Sequence, residues 1–134
     1  MTPGPWVLDV PDHQFITPND RTHWRVRANN AAAWRSTTHL LARAAKIGEH
    51  QRVHVELEFI TGDNRRRDAD NLVSGVLKHV LDGLVDAGVV PDDTPRYVEW
   101  RPPKITNRGD TPTTPRRWLV TVRCLCDTGT HRPV

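Results

Sequence analysis

The sequence predicts one α+β domain, with two helices packed on a mixed sheet in the order β-α-β-α-β-β. Three observations predict it. Apolar residues alternate over 53–59 and 118–124 with the period of two that marks a half-buried strand. Between those stretches, residues 70–87 are apolar with helical period. The length of 134 residues suits a single core. The domain is expected over residues 1–127, with 128–134 a disordered tail.

Trp6-Val7-Leu8-Asp9-Val10 reads as the first strand, stopped by Pro11. Residues 11–27 read as loop, with Pro18-Asn19-Asp20 as a turn signal. From Asn30 to Ile47 the chain is Ala-rich, with Trp34, Leu40, Leu41 and Ala44 at helical spacing, and Gly48 is the expected stop. Val53, Val55, Leu57 and Phe59 alternate with His54, Glu56 and Glu58 as the next strand, which Gly62-Asp63-Asn64 breaks. The second helix is expected from Asp70 to Ala87, with Gly88 as its C-cap. Its apolar residues cover more than half the circumference, and the polar edge carries Asn71, Lys78 and Asp82 at i, i+7, i+11. Pro91–Pro95 is a turn. Tyr97, Val98 and Trp100 suggest a strand ending at Pro102-Pro103, and residues 104–115 read as a Pro/Thr-rich loop. Trp118, Val120, Val122 and Cys124 alternate as the last strand.

Net charge is +3 and the pI is near 9.3, with local basic runs at Arg65–Arg67 and Arg116-Arg117. Clustered cations point to phosphate contacts more than the total does. Met1–Pro5 lacks the charged and apolar regions of a secretion signal, and no apolar run approaches the ~20 residues that span a bilayer. A cytoplasmic protein is the expectation. Cys124 and Cys126 would face one side of a strand, a poor geometry for a mutual disulfide, so they read as small buried hydrophobes. With His131 they form no recognisable zinc spacing.

The chemistry concentrates in Arg65-Arg66-Arg67-Asp68-Ala69-Asp70-Asn71-Leu72. Asp68 and Asp70 are hard oxygen donors suited to Mg²⁺, and the cations before them suit phosphate. Asp92-Asp93 follows past the helix. Each Asp also has a plain structural role: a helix N-cap worth about 0.5–2 kcal/mol, or turn chemistry after Pro91. One Asp of the pair can cap the helix, but not both. Lys78 reads either as a solvated lysine or as a cation near a scissile phosphate. A helix of this length spans about 27 Å. Asp93 therefore meets Asp68 only if the following segment runs back along the helix or a second subunit supplies it.

The run RRRDADNLVSGVLKHVLDGLVDAGVVPDD resembles the core motif of RusA-type endonucleases, the Holliday junction resolvases of phages and prophages. The matching residues are Arg67, Asp68, Asp70, Asn71, Lys78, Asp82, Leu84, Ala87, Gly88, Asp92 and Asp93, over residues 65–93. A weaker likeness lies in Asn19–Trp24 and Trp34-Arg35, similar to the N-terminal region of actinobacterial and actinophage members. The resemblance implies that Asp68, Asp70 and Asp93 bind Mg²⁺, or Mn²⁺ in its place, and that Lys78 is the catalytic lysine. It implies that Arg67 is the nearest DNA-contacting cation and that the protein is a homodimer; Arg65, Arg66 and Lys104 are further candidate DNA contacts. The chain departs from the best-known member in carrying four more residues between Asn71 and Asp82. Counting forward from Asn71 puts Ser74 at the lysine position; counting back from Asp82 puts Lys78 there.

The function expected on this resemblance is a Mg²⁺-dependent endonuclease that resolves four-way junctions by paired nicks, leaving 5′-phosphate and 3′-hydroxyl ends. A flap or fork nuclease, a non-catalytic branched-DNA-binding protein and a ribonuclease are the rivals. Bare paired carboxylates repel phosphate unless a metal lies between, which disfavours a non-catalytic binder.

Overall fold

The computed structural model describes residues 4–13, 21, 23–62, 69–107 and 116–125. Its elements are β1 (Trp6–Val10), α1 (Trp24–Ala44), β2 (Val53–Thr61), a second long helix, β3 (Val98–Trp100), β4 (Lys104–Asn107) and β5 (Arg117–Cys124). The second helix is continuous but has three parts: α2 (Ala69–Leu72), a π turn (Val73–Leu77) and α3 (Lys78–Asp86). The α+β class and mixed sheet agree with the expectation. The expected tail at 128–134 lies outside the described residues.

The sheet order is β1-β5-β2-β3, with β4 also on β2. β2 is the axis of the sheet: β5 runs antiparallel along one side, while β3 and β4 run parallel along the other. β3 pairs with residues from Val53 to Val55 and β4 with residues from Glu58 to Thr61. The two short strands thus share one edge of β2. Pro102-Pro103 interrupts that edge, because proline has no N–H for a ladder. The expectation of loop from residue 104 is corrected here. The chain resumes as β4 after the prolines because their missing donors break the strand without redirecting it.

One face of the sheet carries Val53, Val55, Leu57 and Phe59 of β2 with Trp118, Val120 and Val122 of β5, all buried. The helices pack on this face, and one apolar cluster joins both layers. At its centre Phe59 stacks on Trp118 with ring centroids 4.0 Å apart, and Trp34 of α1 meets Trp118 edge-on at 5.0 Å. The Trp118 indole N–H donates to Asp12 at 2.9 Å, so the buried ring keeps a hydrogen-bond partner. On the opposite face His54 is buried between Glu56 and Glu99, with ring nitrogens 3.0 and 3.2 Å from their carboxylates.

α1 begins at Trp24, six residues before the expected start, and ends at Ala44 rather than near Gly48. The early start carries no periodic signal, because Arg25, Val26 and Arg27 bury no apolar stripe; this end of the helix is largely exposed. His23 caps it, its Nδ1 accepting from the Arg25 N–H at 3.1 Å. At the other end the Lys46 N–H donates to the Arg43 carbonyl and the Ile47 N–H to the Ala42 carbonyl. This is a Schellman closure with Lys46, not a glycine, in the left-handed region at φ 56°. The second helix closes the same way. Gly88 donates to Val85 and Val89 to Leu84, with Gly88 at φ 80° in the role expected of it.

The two long helices meet at Gly83. A β-carbon there would lie 2.5 Å from the Arg35 carbonyl oxygen and 2.8 Å from the Thr38 β-carbon, so only glycine permits this approach. Beside the crossing Arg35 grips both oxygens of Asp86, at 2.5 and 2.8 Å. None of the described helices is long and apolar enough to cross a membrane.

Candidate active site on the second helix

Lys78 is the first residue of α3 and its side chain is half exposed. Its ammonium donates to Asp82 Oδ1 at 3.0 Å and to Asp93 Oδ2 at 2.5 Å. The first contact is local, an i, i+4 pair on one helix face. The second spans the turn after the helix. Lys78 lies about 12 Å from the end of the helix, while seven extended residues reach up to roughly 24 Å. The chain therefore has length to spare for the return. Val89 and Val90, both buried, pin it after Gly88, and the Val89 carbonyl accepts from the His50 N–H at 2.8 Å. Pro91-Asp92-Asp93 then runs back beside the helix. The Asp93 N–H donates to Asp92 Oδ1 at 2.7 Å, fixing Asp92 as the turn residue and leaving Asp93 for Lys78.

Of the two routes left open by the sequence for Asp93, the fold-back occurs, at least as far as Lys78. The groups tune one another. Hydrogen bonds to Asp93 and Asp82 hold the Lys78 ammonium above the ordinary lysine value, so it stays charged. The Lys78 ammonium in turn holds the Asp93 carboxyl below the ordinary carboxylate value. At the next residue, burial lowers His79 and favours its neutral form.

The π turn decides which residues share this face. It puts one extra residue in the turn and rotates everything after it by roughly 100° relative to a straight α-helix. It also lets three consecutive residues, Gly75, Val76 and Leu77, be buried. The expected stack of Asn71, Lys78 and Asp82 is therefore corrected. Lys78 and Asp82 remain together and Asn71 is turned off their edge. Ser74 is exposed within the π turn, so of the two counts along the helix it is Lys78 that meets Asp93.

Asp70 is exposed near the start of α2, about two turns or roughly 12 Å before Lys78 along the helix. Asp68, Arg65, Arg66 and Arg67 lie outside the described residues. Among the described residues no three His, Cys, Asp or Glu side chains converge as a metal-ligand group. Lys104 is exposed at the start of β4, in register with Glu58 across the strand pair. The Arg116-Arg117 run is engaged with the acids around β1: Arg116 lies 3.4 Å from Asp12 and Arg117 2.9 Å from Asp9.

The sequence places Asp82 on a polar edge of the helix and does not single it out as a site residue. Its role in orienting Lys78 was visible only as the i, i+4 spacing. A comparison of the chain with protein-family models finds no match, and a comparison with curated proteins finds none either.

Proposed function

We propose that this protein is a Mg²⁺-dependent, structure-selective DNA endonuclease that resolves four-way junctions by paired nicks in a bacterial host cytoplasm, acting as a homodimer. One observation carries the reading: the return of Asp93 onto Lys78, which sets an ionised carboxylate and a permanent cation side by side at 2.5 Å on the helix that also bears Asp70. A solvated surface lysine needs no such return.

The donor chemistry fits a hard cation. Asp93 is held deprotonated by Lys78, and a carboxylate must be ionised to ligate. Asp70 and Asp93, with Asp68 from outside the described residues, would hold the ion. Bound there, Mg²⁺ supplies a polarised phosphate and an activated water. The residues of the chain do the rest. Asp82 holds Lys78 from below, at 3.0 Å, and keeps its ammonium turned toward Asp93. An ammonium so oriented faces the negative charge that develops on a phosphate under attack. With Asp93 serving as a ligand, Lys78 would keep Asp82 as its anchor and would turn its ammonium toward phosphate. A two-fold dimer suits a junction with two equivalent strands to cut.

The test is a labelled four-way junction incubated with and without Mg²⁺, beside Y-shaped and flap substrates. Paired nicks with 5′-phosphate and 3′-hydroxyl ends are expected on the junction, only with the metal. Asp70→Asn and Asp93→Asn should abolish cutting while junction binding is kept. Lys78→Ala should slow cutting about 10²–10³-fold, the usual loss on removing one charge-stabilising donor. Normal cutting by Asp70→Asn in Mg²⁺ would refute the mechanism.

A further inference from the structure

The most exposed large apolar side chain among the described residues is Trp24, at 67%. It belongs to a segment of one charge. From Arg21 to Gly48 there is no Asp or Glu, while Arg21, Arg25, Arg27, Arg35, Arg43 and Lys46 are all cationic. Arg35 is committed to Asp86. Arg21, Arg25, Arg43 and Lys46 are exposed. A net charge of +3 for the whole chain hides this concentration, because the acids all lie elsewhere.

The indole is flanked as well as exposed. The Arg25 guanidinium carbon lies 5.3 Å from its ring centroid, and the His23 ring stacks on it at 5.7 Å with 28° between the planes. His23 is itself fixed as the helix cap through its bond to the Arg25 N–H. Beyond Trp24 the exposed positions of α1 include the small Ala28, Asn29, Ala32 and Ser36 beside Val26, Arg35, Leu40 and Arg43, and none of them is acidic, so no like charge repels a polyanion. A burial role does not account for a tryptophan here, since the core of α1 is made by Trp34, Thr38 and Ala42.

From these observations we infer that the Trp24 end of α1 is a single-strand contact, with an unpaired base stacked on the indole and its phosphates held by Arg21 and Arg25. A flat ring takes any base by its π-face, and neighbouring guanidinium groups take the backbone. An acidic peptide would use the cations but has no need of the ring. The contact rests on the nucleic-acid reading of the chain, and names where an unpaired segment would lie, apart from the Lys78–Asp93 pair.

The experiment uses the full chain without divalent metal, so that nothing is cut. A labelled single strand, a four-way junction carrying 2-aminopurine next to its crossover, and a blunt duplex are titrated by fluorescence. Trp24→Ala should weaken single-strand binding about 5- to 100-fold and abolish 2-aminopurine quenching, and Trp24→Phe should restore most of both. Duplex binding should barely change. Arg25→Gln should lower the salt slope on the single strand by about 0.7. Circular dichroism should show that these exposed substitutions leave the fold intact. Wild-type affinity in Trp24→Ala, or an equal loss on the duplex, would overturn the contact while leaving the nuclease reading in place. Binding to phosphatidylcholine/phosphatidylserine vesicles that needs Trp24, with DNA binding unaffected, would overturn it in favour of a membrane surface. Trp24-dependent binding in a protein that never cuts in Mg²⁺ would support the contact and sink the nuclease.

Discussion

Lys46 occupies the left-handed region, at φ 56°, where a β-carbon crowds the following carbonyl. The Schellman bonds from Lys46 and Ile47 hold it there, with Ile47 buried behind it. Lys46→Gly removes that crowding but loosens the unfolded chain. A net stabilisation of about 0.5–1 kcal/mol is expected. It would be read as a higher urea midpoint at unchanged slope; a lower midpoint would count against it. His79 gives a pH dependence of definite sign. Burial lowers its folded value below the ordinary 6.5, so the unfolded chain binds its proton first as pH falls. Stability should be full above the ordinary value and decline as pH drops through it. His79→Gln should flatten the midpoint-versus-pH curve between about pH 7 and 5. Asp93 acts at lower pH: its lowered value adds stability above the ordinary carboxylate range, lost as pH falls through the folded value.

At the scale of elements, the helix crossing at Gly83 fixes where the two long helices touch. With the Arg35 carbonyl 2.5 Å from any added β-carbon, Gly83→Ala must push backbone rather than a flexible side chain. It should cost at least about 1–3 kcal/mol, the usual range for overpacking, despite the better helix propensity of alanine. Thermal melts of the two proteins would decide; an unchanged or raised midpoint would show that the helices move apart freely. The π turn is the other element with consequences. It turns Asn71 off the edge bearing Lys78 and Asp82, and the same rotation of roughly 100° brings Asp70, eight residues before Lys78, toward that edge within one continuous helix. π turns recur at functional sites because they re-aim side chains without ending the helix.

For the whole molecule, the stacked Phe59, Trp118 and edge-on Trp34 tie β2, β5 and α1 into one core. Trp118→Ala should cost about 3–5 kcal/mol, a large part of the stability of a domain this size. It should lower the midpoint of helix and sheet signals together, since one cluster serves both layers. Separate transitions for the two would show that the layers fold independently.

The division between sequence and tertiary structure follows from range. Period-two alternation placed β2 and β5, and Gly88 marked the end of the second helix, because these are local matters of pleat and cap. β4 was missed because four residues of polar and apolar mixture become a strand only when an edge of β2 is there to pair with them. The first six residues of α1 are not legible as helix because they bury little. The motif chemistry of Asp70, Lys78 and Asp93 was legible as residue types in order. Their arrangement was not: a straight helix keeps Asn71 in line with Lys78, and the return of Asp93 is only one of two routes that the sequence leaves open. The sequence by itself determined the class of the fold and the acid and base groups available. The tertiary structure decided that a π turn regroups the helix face and that buried Val89 and Val90 send Asp93 back to Lys78, both consequences of core packing at a distance in the chain.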